Sequence, residues 1–244
     1  YFGIRDEVDL SGLTWRRGVG YDLEELTNVY TSSHQWISLV IQQVNQKILD
    51  AGSMRALGFC AGIKHASFVA EQFNNAGIKS VALTGENESA ERAAAIKALT
   101  DGQIQAIFTV DIFNEGIDIP TVNQVVMLRQ THSSIVFTQQ LGRGLRKAEG
   151  KDHLVVIDFI GNYDNNYLIP IALFGDSSLN KDSIRKKIID AQEAGAIAGL
   201  SSVNFDAISK ERIYNSLAIT KLDSMSNLKK SFDELQNRLG RAPL

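Results

Sequence analysis

Between residue 32 and about residue 160 the chain switches repeatedly between short, continuous apolar runs and longer stretches of helical periodicity. Few folds satisfy that alternation other than a parallel sheet covered by helices on both faces. The runs Ala56–Cys60, Ser80–Leu83, Ala106–Val110, Gln124–Leu128 and Leu154–Phe159 are predicted strands. They are apolar along their length rather than at every second residue, as strands buried on both faces must be. The helical stretches between them have readable ends. Ser33 caps a predicted helix that runs to Leu49 and stops near Gly52, and Asn87 caps a Glu- and Ala-rich one that ends before Gly102. Each strand hands over to a polar, Gly-containing loop. Open parallel sheets bind ligands just beyond the carboxyl ends of their strands, so these loops are where chemistry is expected.

The flanks differ from this middle part. Residues 1–50 read as a lead-in followed by a first helix, residues 51–160 as the α/β domain, and residues 161–244 as a mostly helical extension. The extension opens on the turn-rich Gly161–Asn166 and continues with predicted helices at Asp182–Glu193, Ala207–Leu217 and Asn227–Leu239. The chain starts at Tyr1 and carries no signal peptide, from which we expect a piece of a longer cytoplasmic protein.

Composition narrows the function classes. One cysteine, Cys60, allows no internal disulfide, and the histidines at 34, 65, 132 and 153 show no ligand spacing, so no metal site is expected. The longest apolar runs fall far short of the roughly 20 residues that cross a bilayer, so no membrane partner is expected. A net charge of -3 leaves a nucleic-acid partner open, because local basic faces govern that binding.

Three segments carry candidate chemistry. In Thr138–Arg146, within a helix that Ser133 or Ser134 caps, Gln139, Gly142, Arg143 and Arg146 share one stripe while Phe137, Leu141, Leu145 and Ala148 share the opposite one. Arginine's planar fork suits a phosphate, and glycine in a helix interior suits close approach of a ligand or another domain; a solvated amphipathic helix is the plain alternative. In Thr109–Pro120, Gly116 would let a backbone approach a ligand and Asp118 could accept from ribose hydroxyls, or Asp118 could cap a turn closed by Pro120. In Phe59–Ala66, Gly62 and Lys64 stand at a helix start that could hold a phosphate, and a parallel Gly loop, Leu83-Thr84-Gly85, follows the next strand. Both loops could equally be turns that the fold demands, and His65 reads as a packing or surface residue. A G-x-x-x-x-G-K-[ST] phosphate loop is missing, and Asp158, which ends an apolar strand, reads as structural.

In this order the segments resemble the second RecA-like domain of superfamily 2 helicases and translocases, the group that includes the DEAD-box and DEAH-box motors. The resemblance covers about residues 51–160 and, more weakly in the flanks, extends to the helicase subunits of type III restriction systems. It implies an ATP-dependent motor in which Gln139–Arg146 is motif VI, with Arg146 as arginine finger, Arg143 as a second phosphate contact and Gln139 in support. It implies that Gly116 and Asp118 help hold the nucleotide, and that Gly62, Lys64, Thr84, Gly85 and Thr109 contact one strand of DNA or RNA without reading sequence. Gln140 stands where many relatives carry a basic residue, and Leu145 where Gly is frequent. ATP and Mg²⁺ would be held mainly by a preceding RecA-like domain of the same protein, so this chain alone is expected to be inactive. The competing readings are a catalytically silent RecA-like scaffold and a free-standing nucleotide-binding α/β protein.

Overall fold

A computed structural model describes residues 1–16, 20–48, 53–110, 119–130, 148, 151–161, 163–176, 178, 180–194 and 202–222. The strands are β1 (Phe2–Arg5), β2 (Trp15–Arg16), β3 (Gly20–Tyr21), β4 (Ala56–Cys60), β5 (Ser80–Leu83), β6 (Ala106–Thr109), β7 (Gln124–Leu128), β8 (Val155–Ile160) and β9 (Asn204–Phe205). The helices are α1 (Leu23–Ser32), α2 (His34–Lys47), α3 (Ile63–Asn75), α4 (Ser89–Thr100), α5 (Leu168–Phe174), α6 (Lys181–Ala194) and α7 (Ala207–Ile219). Strands β2 and β3 form a short antiparallel ribbon. The other seven make one sheet in the order β5-β6-β4-β7-β8-β1-β9, and all its pairings are parallel.

The strands are largely apolar because each face of the sheet has its own core. On β4, Ala56 and Cys60 point into one cluster and Leu57 and Phe59 into the other; on β7, Val126 and Leu128 oppose Val125 and Met127. Helices α1, α2 and α3 cover the first face through Leu26, Tyr30, Trp36, Val40, Val69 and Phe73. Helices α4, α6 and α7 cover the second through Leu99, Ile184, Ile188, Ile213 and Leu217. This is the parallel sheet covered by helices on both faces that the alternation predicts. At the centre of the sheet Phe108 lies over Gly58 so closely that a Cβ there would enter its ring, and Phe73 meets Phe108 edge-on at 4.6 Å.

Four details differ from expectation. Helix α4 is capped by Glu88 rather than Asn87: Glu88 and Glu91 form a reciprocal capping box, while Asn87 belongs to the preceding turn. The lead-in supplies β1, which lies between β8 and β9, so the sheet extends beyond residues 51–160 at both ends. Four residues interrupted by Gly3 are too few to show a period. Ser33 does cap α2, its hydroxyl accepting from the Trp36 N–H at 3.3 Å. Strand β6 ends at Thr109, and β8 sits one residue later than read. The stretch 227–239 lies outside the described residues.

Candidate nucleic-acid interface

Parallel pairing fixes which loops are neighbours. Phe59 of β4 and Leu83 of β5 both stand in register with Thr109 of β6, so the three chains leave the sheet side by side at its carboxyl edge. Adjacent strands lie about 4.8 Å apart. Five predicted residues, Gly62, Lys64, Thr84, Gly85 and Thr109, are therefore gathered on one rim although 47 positions separate the first from the last. Gln139, Arg143, Arg146, Gly116 and Asp118 lie outside the described residues.

After β4, Gly62 is the N-cap of α3 and offers no side-chain hydrogen bond, so the first N–H groups of this 13-residue helix are uncapped by any side chain. Glycine is required there by space rather than by its backbone angle: φ is -157°, open to any residue, but a Cβ would sit 2.8 Å from Thr27 Oγ1 of α1. Lys64 is exposed on the first turn. After β5 the chain tightens into a turn in which Thr84 N–H donates to Asn87 Oδ1 at 2.8 Å and Glu86 N–H donates to Thr84 Oγ1 at 3.3 Å. Thr84 is thus buried and committed to its own turn, whereas Gly85 is exposed. Lys64 is the cation these two turns present; Glu86 and Glu88 stand exposed on the second. Thr109 is fully buried, and its hydroxyl has no hydrogen-bond partner among the described residues. Such a group costs about 1–3 kcal/mol unless a partner satisfies it.

His65 is buried and neutral. Burial lowers its pKa to about 3, its Nδ1 accepts from the Ala61 N–H at 3.2 Å, and its ring stacks on Tyr30 at 4.8 Å. The expectation of a packing residue rather than a base agrees with this. Burial pushes the Cys60 thiol up, which removes it as a nucleophile at neutral pH.

Sequence reasoning missed a second polar group at the same edge of the sheet. Asp6, just past β1, is buried and accepts from Tyr30 Oη at 2.7 Å and from the Val8 N–H at 3.0 Å. Burial pushes its carboxyl up to about 6 against those two hydrogen bonds. Tyr30 Oη is 2.9 Å from Tyr163 Oη. Since the Tyr30 proton goes to Asp6, Tyr163 donates to Tyr30, and the three form a directed chain. Arg212 of α7 closes this corner by donating to the Asp6 and Ile160 carbonyls. A groove of about 490 Å³ lies outside it, lined by Glu7, Asp9, Tyr21, Glu211 and Arg212, and holds no residue predicted for the site.

Asp158 of β8 is buried, accepts from the Tyr1 hydroxyl, and borders a cavity of about 20 Å³, room for one water. Burial pushes its carboxyl up to about 7. A folded value above the ordinary 3.8 means that the folded state holds the proton more tightly than the unfolded chain between about pH 4 and 7. Stability from this group is complete below pH 4 and falls as pH rises through 7. We expect Asp158→Asn to gain on the parent protein with rising pH by about 1.4 kcal/mol per pH unit at the steepest, read as the difference in urea-unfolding free energy at pH 5 and pH 8. A pH-independent difference would show that Asp158 titrates normally.

Among the described residues no helix is long and apolar enough to cross a membrane, and no group of three or more His, Cys, Asp or Glu side chains could hold a metal ion.

Comparison with known proteins gives three findings. Residues 39–148 match the helicase conserved C-terminal domain. The chain is 33% identical over 97 residues, 40% of its length, to the Saccharomyces cerevisiae protein named "Putative ATP-dependent helicase IRC3", and 28% identical over 146 residues, 58% of its length, to the Neurospora crassa pre-mRNA-splicing ATP-dependent RNA helicase prp-28. The matched stretches span 14% and 20% of those relatives' own lengths. The crystal structure of the yeast DEAD-box splicing factor Prp28 shares the fold, with a TM-score of 0.55 over 79% of this chain and 37% of that one at 16% identity.

Proposed function

We propose, from the match of residues 39–148 to the helicase conserved C-terminal domain and the fold shared with a DEAD-box protein, that this chain is the carboxy-terminal motor lobe of an ATP-dependent nucleic-acid helicase or translocase. The observation that carries the reading is the gathering of Gly62–Lys64 and Gly85 on one rim of adjacent strands, while Thr84 and Thr109, expected as contacts, are buried beneath it. A single strand of DNA or RNA runs along this rim. Its phosphates meet the uncapped N–H groups of α3 and the Lys64 ammonium, and no base edge is read. Thr84 supports its turn from within and Gly85 lets the strand come close.

ATP, with its Mg²⁺, sits mainly on a preceding RecA-like lobe of the same protein. That nucleotide supplies the phosphoryl group whose cleavage drives the motor. This chain's share is to bring Arg146 and Arg143, with Gln139 in support, to the phosphates across the cleft between lobes, and Gly116 and Asp118 to the nucleotide's edge. By itself the chain then turns over no ATP.

Phosphate gripping has a signature in salt. The affinity of the 244-residue chain for a labelled single-stranded oligothymidylate, or its ribonucleotide counterpart, is expected to fall linearly with salt on logarithmic axes. Lys64→Ala should reduce that slope by about 0.7, the share of one phosphate contact on a single strand. Binding that ignores salt, or an unchanged slope in Lys64→Ala, would remove the grip from this rim.

A further inference from the structure

Helix α3 meets solvent with a bare glycine at its N-cap, so nothing on the rim itself fixes the direction in which its first N–H groups and Lys64 point. What fixes them lies behind. His65, in the first turn, reaches back and accepts the Ala61 N–H at 3.2 Å, tying the loop that precedes Gly62 to the helix that follows it. This resembles a capping box displaced by one residue, with an imidazole in place of a carboxylate. The imidazole is held in turn. It is fully buried, its plane lies within 6° of the Tyr30 ring at 4.8 Å, and Trp36 packs against both, at 5.2 Å from His65 and 4.6 Å from Tyr30. Tyr30 cannot turn, because its hydroxyl donates to Asp6 at 2.7 Å and accepts from Tyr163. Beside this stack, Thr27 Oγ1 fills the space where Gly62 would carry a side chain. Helix α1 therefore braces α3 at two successive points, Thr27 on Gly62 and Tyr30 on His65.

We infer that His65, set by Tyr30 and Asp6, is the positioning residue of the nucleic-acid grip: it aims the N-terminus of α3 and Lys64 at the strand without touching the strand itself. The inference rests on the proposed function of that rim and adds a role for residues 1–31, whose β1 end and first helix become the brace of the grip. The arrangement needs an imidazole that accepts at Nδ1, which a neutral ring inside an apolar stack supplies. Its Nε2 has no partner among the described residues, so Ala61 is where this side chain does its polar work.

The test separates aim from fold. Loss of folded protein scales every affinity by one factor and leaves the salt slope alone, whereas a misaimed contact lowers the slope. We expect His65→Leu, which removes the acceptor and keeps bulk, to reduce the slope for single-stranded oligothymidylate by about 0.7, as Lys64→Ala does. In the Lys64→Ala background it should reduce the slope no further. His65→Gln, whose amide oxygen can accept the Ala61 N–H, should restore the parent slope. If His65→Leu does not fold, nitrogen-edited NMR of the unmodified chain serves instead: the His65 Nδ1 resonance should move in step with the Lys64 amide as oligonucleotide is added. A parent-like slope in folded His65→Leu, or a silent His65 resonance under a moving Lys64 amide, overturns the positioning role. A parent-like slope in Lys64→Ala overturns the proposed function of the rim itself.

Discussion

In a protein that joins this chain to the ATP-binding lobe proposed above, Arg146→Ala should lower nucleic-acid-stimulated ATP hydrolysis by about 10³- to 10⁵-fold. Binding of ATP, followed with a fluorescent analogue, should survive. The two readouts part because charge accumulates on the transferring phosphoryl oxygens only as the bond breaks, so a guanidinium aimed at them stabilises the transition state far more than the bound nucleotide. Arg146→Lys should recover little, since an ammonium cannot reproduce the planar two-point contact. Arg143→Ala should cost less. The match to the helicase conserved C-terminal domain, over residues 39–148, spans both arginines. Turnover unchanged in Arg146→Ala would reject its assignment as the finger.

The second large effect concerns folding. Phe108→Ala should destabilise the chain by about 3–5 kcal/mol in urea unfolding, because a fully buried ring that packs on Gly58 and meets Phe73 edge-on leaves a cavity the neighbouring strands cannot close. Gly58→Val should also destabilise, by about 1–3 kcal/mol, through the opposite fault of overfilling. Together the two should cost less than their sum, since the valine enters the space the ring vacates. Additive losses would mean that Phe108 and Gly58 do not share that space.

Much of this architecture was legible in the order of residues, and the reason is burial. Ala56–Cys60, Ser80–Leu83 and Gln124–Leu128 stand as read because strands inside the sheet are largely apolar along their length, a signal that needs no partner to be seen; Ser80 and Gln124, each at a strand start, are buried with hydrogen-bond partners instead. Strand β1 was not legible. Its pairing lies with residues 157–160 on one side and 204–205 on the other, and a four-residue strand containing glycine carries no period of its own. The misplaced cap of α4 has a similar cause: Asn87 is the better cap by residue type, and the reciprocal bond between Glu88 and Glu91 moves the cap to Glu88. Of the rim, the candidates were legible through glycine and lysine at strand ends. The brace behind them was not, because Asp6, Tyr30, His65 and Tyr163 are scattered over 158 positions and meet only when β1 is seated beside β8.

That seating also governs how the chain comes together. Phe2 finds its neighbours at Ile157 and Asn204, so β1 is made well before either of the strands that enclose it. During synthesis Phe2 and Ile4 stay uncovered while β4 to β7 are already able to pair. Closure over such distant partners is slow, and the waiting edge invites association with other chains, so a chaperone's help and low concentration should matter for the folding of this sheet.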